Sequence, residues 1–410
     1  MLSDFRLLAT GQTLSWIGNG FQTVALAVAV VRAGGGAGDL GLVMACSVTA
    51  ILACSLFGGV WADRLQPQRV MVASDLVRLA AAALMAALFF GDAYHLPLLC
   101  LLAAVSSGAG SFFNPAMTAL RPLIIPVGRR QQANATLSML QTGSSVIGPA
   151  LGGVTVAAFG APAGFTVNAA SFLASMAACL LLRARATRGP RSSMLSELGA
   201  GWREVSSRDW LLGGMAGATL YHVANGVILV LVQVIAIERL GGASSAGFIA
   251  AAEGLGGTIG AAAALRFKPR HLLRAGWLTL LLMPLWALAY VWPAELLAVL
   301  LGAVVGYAGL IFFDVAWETA LQDQIPQSSL GRVSSWDQLT SYLAMPLGNA
   351  LAGPLSARYG TSPVLTAAAA VLFVAALSQL LIPGSRRLTR ATSTTAAPTP
   401  PPELVEATGN

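Results

Sequence analysis

Twelve stretches of about 20 apolar residues follow one another along the chain, and no other feature limits its fold as tightly. They lie at roughly 8–31, 39–60, 70–91, 97–121, 136–159, 163–182, 210–237, 243–265, 275–292, 295–320, 333–357 and 361–382. Apolar residues make up 56% of the 410 and charged residues 10%, against about 25% charged in soluble domains. So few charges cannot cover a water-facing surface of this size. In lipid every backbone N–H and C=O must find a partner inside the protein, so apolar segments of this length become helices. The expectation is an all-α integral membrane protein with twelve transmembrane helices.

One connection is long. It carries Arg183, Arg185, Arg188, Arg191, Arg203 and Arg208 and divides six stretches from six. The expected organisation is therefore a six-helix bundle over 1–182, a linker over 183–209, a second bundle over 210–382, and a tail over 383–410. The tail's Ser, Thr, Ala and Pro cannot bury a core, so it is expected to be disordered. The first stretch is too long for a cleaved signal and carries Gln12, Asn19 and Gln22, so it reads as a retained helix. Cys46, Cys54, Cys100 and Cys179 all fall in apolar segments without metal or redox spacing.

The net charge of +7 reports topology, not a nucleic-acid partner. With the N-terminus inside, twenty basic residues fall on cytoplasmic segments. Only Arg32, Arg239 and Arg358 fall outside, while Arg78 lies within the third helix. That asymmetry places both termini in the cytoplasm. The basic residues are all arginine except Lys268, and Ala and Gly are abundant, which suggests a GC-rich bacterial genome.

The halves repeat in parallel. Phe112-Phe113-Asn114 recurs as Phe312-Phe313-Asp314, and the same offset of 200 pairs Gly148 with Gly348, Gly153 with Gly353 and Gly160 with Gly360. Near the starts of the halves, Asn19-Gly20 matches Asn225-Gly226.

Gly58 to Arg69, after the second stretch, reads GGVWADRLQPQR. Gly59, Asp63, Arg64 and Arg69 make this loop resemble the signature loop between helices 2 and 3 of the major facilitator superfamily. Gln66, Pro67 and Gln68 depart from that pattern. The resemblance implies the major facilitator fold, two pseudo-symmetric six-helix bundles. It also implies that the loop latches the halves on the cytoplasmic side, with Asp63 facing the N-terminus of helix 11. An anion there is favoured by the helix dipole, and Ser334-Ser335 is the expected helix start. In the fifth stretch, Gly148-Pro149-Ala150-Leu151-Gly152-Gly153 is similar to the antiporter motif of the superfamily's exporters, with Ala135 and Ser144 where glycines stand upstream. Gly11 to Gly18, Phe113 to Ala116 and Ala133 to Thr136 resemble the bacterial twelve-helix drug and siderophore exporter branch. Many members of that branch have an acid where Asn19 stands, which argues against proton coupling through helix 1.

Charges within lipid cost about 2.5–3.5 kcal/mol or more and call for a reason. Glu253, deepest of the acids, is the expected proton-coupling group, with Asp314 and Glu318, one turn apart on helix 10, ranked second. Asp75 and Arg78, at i and i+3, are expected to neutralise each other and brace the signature loop as part of the gate. Asp337 reads as a helix-start anion. Gln12, Trp16, Asn19, Gln22, Gln141, His222, Asn225, Gln233 and Trp317 are expected to line a substrate cavity between the halves.

The expected function is secondary active export of an amphipathic small molecule across a bacterial cell membrane by proton antiport and alternating access. The alternatives are a nutrient symporter and a non-transporting membrane receptor. Hydrolase, zinc and phosphate-loop motifs are absent from the sequence, so neither an enzyme nor a cofactor is expected. The expected partners are a small-molecule substrate, protons and the lipid bilayer, the chain acting as a monomer.

Overall fold

The computed structural model describes residues 2–62, 66–125, 130–182, 202–267, 269–291 and 295–389. Every element among them is helical. The first half holds α1 (Leu2–Arg32), α2 (Ala37–Ala62), α3 (Pro67–Phe90), α4 (Leu96–Ile124), α5 (Arg130–Phe159) and α6 (Ala161–Leu181). The second holds α7 (Asp209–Arg239), α8 (Ala243–Arg266), α9 (in two pieces, Leu272–Leu280 and Met283–Leu288), α10 (Leu296–Gln324), α11 (Gln327–Tyr359), α12 (Thr361–Gln379) and the short α13 (Pro383–Arg387).

Among the described residues, ten helices are long and apolar enough to cross a membrane. The remaining two of the twelve expected spans are α9 and α11. The ninth stretch is not one continuous helix, because Pro284 has no N–H to continue the ladder and opens a new helical piece after Leu282. The eleventh begins six residues before its apolar stretch, at Gln327, and contains Pro346 and Pro354. Ser334 therefore lies two turns inside α11 and not at its start, and Asp337 is no helix-start anion.

The internal repeat becomes a pseudo-symmetric pair of six-helix bundles. In the first, α1 packs on α5 and α6 while α2 packs on α4; in the second, α7 packs on α11 and α12 while α8 packs on α10. Between bundles, α5 meets α8 and α2 meets α11. Sharp turns join α5 to α6 and α11 to α12. Each is made at a glycine with positive φ, +82° at Gly160 and +83° at Gly360, a conformation that a side chain would strain. These are the glycines paired at an offset of 200. Phe165, Phe172 and Trp286 are among the largest fully buried side chains, whereas Phe159, Leu265 and Leu381 face outward. An apolar exterior suits a protein whose solvent at that depth is lipid.

The expected tail begins too early. Residues 383–389 are held against the second bundle: Trp277 Nε1 donates to Ser385 Oγ at 2.9 Å, and Gly384 N donates to Asp209 Oδ2 at 3.1 Å. Ser385 is fully buried. The rest of the tail, 390–410, lies outside the described residues. Truncation after Thr389 is expected to leave the thermal unfolding midpoint unchanged. Truncation before Pro383 removes two hydrogen bonds, each worth about 1 kcal/mol, and lowers the midpoint measurably.

Candidate functional site

The bundles join through small residues. On α5, Gly148 and Gly152 press on α1, where a Cβ on Gly148 would stand 2.8 Å from Ile17 O and one on Gly152 2.8 Å from Phe21 Cα. Pro149 lies against Gly20 of α1. The next residue, Gly153, turns to the other bundle. A Cβ there would lie 2.7 Å from Ala243 O and 2.8 Å from Gly247 Cα on α8. This hexapeptide therefore fixes α1 within its own bundle and α8 across the interface. The second half repeats the arrangement: Gly348 sits on Val223 and Gly226 of α7, and Gly353 on Gly38 of α2. The copy Gly348-Asn349-Ala350-Leu351-Ala352-Gly353 has lost Pro and the glycine equivalent to Gly152, yet keeps those equivalent to Gly148 and Gly153. Close approach of helix backbones is what small residues permit in lipid. The contacts at Gly153 and Gly353 lie toward the end of the molecule where α5 and α11 finish and α2 and α8 start.

A buried polar network runs through the first bundle. Gln12 donates to Ser175 Oγ at 3.2 Å, and Ser175 lies beside Asp75. Asp75 is fully buried and pairs with Arg78 at 3.4 Å. Arg78 Nη2 donates to Asn19 Oδ1 at 3.0 Å, and its guanidinium lies 3.9 Å above the Phe172 ring. Further along, Asn168 Nδ2 donates to Gln22 Oε1, while Ser171 donates to Asn168. Asp75 and Arg78 thus pair with each other, and their partners among the described residues lie on α1 and α6. Arg78 lies eleven residues into α3, about 16 Å from its start at 1.5 Å per residue, where it touches α1 and α6.

Beside this network is a cavity of about 440 Å³ lined by α1 to α4 and by Gln233 of α7. Asn19, Gln22 and Arg78 reach it, with Ser47, Ser107 and Asn114. The other residues expected in a cavity lie elsewhere. Gln12 is buried against α6, Trp16 packs with a cluster containing Leu8 and Phe113, and Gln141 is exposed on α5. His222 Nδ1 is 2.7 Å from Ala218 O of its own helix, and Asn225 is buried. Trp317 packs among Trp210, Trp277 and Phe313, its Nε1 donating to Asp337 at 3.1 Å. A helical polar residue faces either a cavity or a neighbouring helix, and only the three-dimensional partner decides between them.

In the second bundle, Glu253 of α8 has the Tyr307 hydroxyl of α10 as hydrogen-bond partner, with Tyr290 close by. Trp286 packs edge-on against Tyr307 at 5.3 Å and against Tyr290 at 6.4 Å. Asp314 lies within electrostatic range of Asp337 and Tyr221, and Glu318 accepts from Gln322 at 3.0 Å. Glu253 therefore sits in an aromatic, hydroxyl-bearing pocket apart from the Asp314–Asp337–Glu318 group.

Asp63 and Arg64 lie outside the described residues; Gly59 is in the last turns of α2 and Arg69 is exposed in the first turn of α3. Sequence reasoning missed Gln68 in this loop, where it stands in place of a basic residue. Its Nε2 donates to Cys179 O at 2.6 Å and Leu182 O at 3.1 Å, adding a side-chain cap at the end of α6, where carbonyls run short of helical partners. Gln68→Ala is expected to cost about 1–3 kcal/mol, read as a lower unfolding midpoint in detergent, with Gln68→Glu no better because it cannot donate. Asn168, Ser171 and Ser175 were also missed, although their spacing of i, i+3 and i+7 marks one face of α6.

Comparison with known proteins places these features in context. The family model for the Major Facilitator Superfamily matches residues 8–349. Multidrug efflux pump Tap of Mycolicibacterium fortuitum is 28% identical over 393 residues, covering 90% of this chain and 93% of its own. Enterobactin exporter EntS of Escherichia coli O1:K1 / APEC is 27% identical over 403 residues, covering 93% and 92%. Among solved structures, a mutant of the nucleoside transporter NupG superposes with a TM-score of 0.75 at 12% identity, covering 92% of this chain and 99% of that one. A bacterial homologue of the human lysosomal transporter Spinster, inward-facing and unoccupied, gives 0.71 at 16% identity, covering 93% and 96%.

Proposed function

This chain belongs to the Major Facilitator Superfamily, and from that premise we propose that it exports an amphipathic small molecule from a bacterial cell in exchange for protons. The observation that carries this reading is the three-helix junction at Gly148–Gly153, where an exporter-type motif holds α1 on one side and the opposite bundle on the other. A motif in that position controls whether the bundles close at that end. With the basic residues inside, the closed end faces outward, and the protein is poised to load cargo from the cytoplasm. The relatives whose names specify efflux of drugs and export of enterobactin support the direction. The two bundles rock about the α5–α8 and α2–α11 contacts as a single chain acting alone. On the cytoplasmic side Gly59, Asp63, Arg64 and Arg69 form the latch. The helix terminus that α11 would offer this latch is at Gln327, where the helix starts. Glu253 carries the coupling proton, with Asp314 and Glu318 ranked behind it.

Everted membrane vesicles containing the chain test this reading with a dansyl-labelled cargo panel. Energised vesicles are expected to accumulate at least one probe, and to release it when nigericin collapses the pH gradient. Accumulation that survives nigericin, or that requires the opposite gradient, overturns proton antiport and favours the symporter reading.

A further inference from the structure

The cavity beside α1 to α4 is lined by one guanidinium, by the amides of Asn19, Gln22, Asn114 and Gln233 and by several hydroxyls, and the network behind it leaves donors free on Asn19 and Gln22. A guanidinium has five N–H donors and no acceptor. Arg78 spends one on Asp75 Oδ1, at a long 3.4 Å, and one on Asn19 Oδ1 at 3.0 Å. Because arginine can only donate, the Asn19 amide must turn its oxygen to Arg78, which leaves the Asn19 Nδ2 hydrogens for the cavity. Gln22 Oε1 accepts from Asn168 Nδ2, which leaves Gln22 Nε2 as a donor. Gly110, beside Arg78 Nε, also lines the cavity and has no side chain to cover that edge of the guanidinium. Among the described lining residues there is no carboxylate. Asp75 is fully buried behind Arg78 and not in the wall. The lining also includes apolar residues, Leu26 of α1 and Leu40, Met44 and Ile51 of α2.

We infer that this cavity takes the carboxylate of an amphipathic organic anion, docked on Arg78 with Asn19 and Gln22, its apolar body against α1 and α2. The inference rests on the exporter reading above and adds the charge class of the cargo. A planar carboxylate suits a guanidinium edge, to which it can bond in two places. The three open donors give it more partners than the single long contact to Asp75. A cationic cargo meets no acid in the wall and one fixed positive charge.

Three probes with one fluorophore separate the classes: N-dansyl-6-aminohexanoate, its neutral carboxamide, and the amine dansylcadaverine. Binding to the full chain in lipid nanodiscs is read by energy transfer from tryptophan to dansyl, with no gradient imposed. The carboxylate is expected to bind at least tenfold more tightly than either other probe. Asn19→Leu, which leaves the ion pair intact, should weaken the carboxylate alone. The double variant Asp75→Asn/Arg78→Gln, which leaves no buried charge unpaired, should abolish the preference, while Arg78→Lys keeps part of it. Equal affinities, a preference for the amine, no binding of any probe, or a carboxylate preference that survives the double variant each overturn the inference. Gradient-driven accumulation of the amine without carboxylate preference defeats this assignment and spares the exporter reading. Arg78-dependent carboxylate binding without uphill movement does the reverse.

Discussion

Glu253→Gln is expected to abolish proton-driven accumulation while leaving the protein folded and able to exchange cargo. The amide has the same shape as the carboxylic acid and can still pair with the Tyr307 hydroxyl, so α8 keeps its packing against α10. What it cannot do is take up and release a proton. Glu253 lies ten residues from the start of α8, about 15 Å along it at 1.5 Å per residue. A charge that far into a membrane-spanning helix needs a specific reason to be there. In a one-for-one exchange each unit of pH gradient sustains about a tenfold cargo gradient, since one pH unit is worth about 1.36 kcal/mol. The variant is expected to lose all of it, so that cargo inside and outside equalise, while counterflow of labelled against unlabelled cargo persists. Normal accumulation with normal pH dependence would mean that Glu253 is structural. Asp314 and Glu318 would then take its place.

The second large effect comes from the junction. Gly153→Val inserts a branched side chain where even a single Cβ would lie 2.7 Å from Ala243 O and 2.8 Å from Gly247 Cα. Neither contact is the flexible tip of a side chain, so the helices themselves must separate. Overpacking of this kind costs about 1–3 kcal/mol, and the cost falls only on the state in which α5 and α8 touch. The ratio of closed to open states at that end then shifts by about 5- to 150-fold. Gln233, a cavity residue six positions from the end of α7, reports it. As a single cysteine it should react slowly with a membrane-impermeant maleimide from outside in the parent chain, and much faster beside Gly153→Val. Unchanged labelling with full transport would separate the junction from gating. Gly353→Val, at the repeat-related contact with Gly38, is expected to act in the same direction.

The parts of this architecture that could be read from residues alone are those set by local chemistry or by internal repetition. Apolar length gave the spans, and the offset of 200 foretold that Gly148 and Gly348, Gly153 and Gly353, and Gly160 and Gly360 occupy equivalent places. The break in α9 was visible as Pro284 but was outweighed by an apolar stretch that ran through it. The start of α11 was misplaced because Gln327 to Arg332 are polar, and a helix that leaves the bilayer need not be apolar there. The polar residues were hardest. Gln12, Asn19 and Gln22 share a helix and look alike in sequence, yet Gln12 is used up by Ser175 while Asn19 and Gln22 reach the cavity. Arg78 looked like a gate residue from its nearness to the loop in sequence. Its partners on α1 and α6 are 59 and 94 positions away in the chain, and no local pattern announces them.

The most direct measurement is proton flux in liposomes containing the purified chain and internal pyranine, with no membrane potential or initial pH gradient. A cargo gradient directed outward from the lumen should acidify the lumen as protons enter in exchange, and the signal should vanish in Glu253→Gln. Alkalinisation of the lumen as cargo leaves would show protons travelling with the cargo, and cargo efflux with no pH change would show that they are not coupled at all; either would contradict the account.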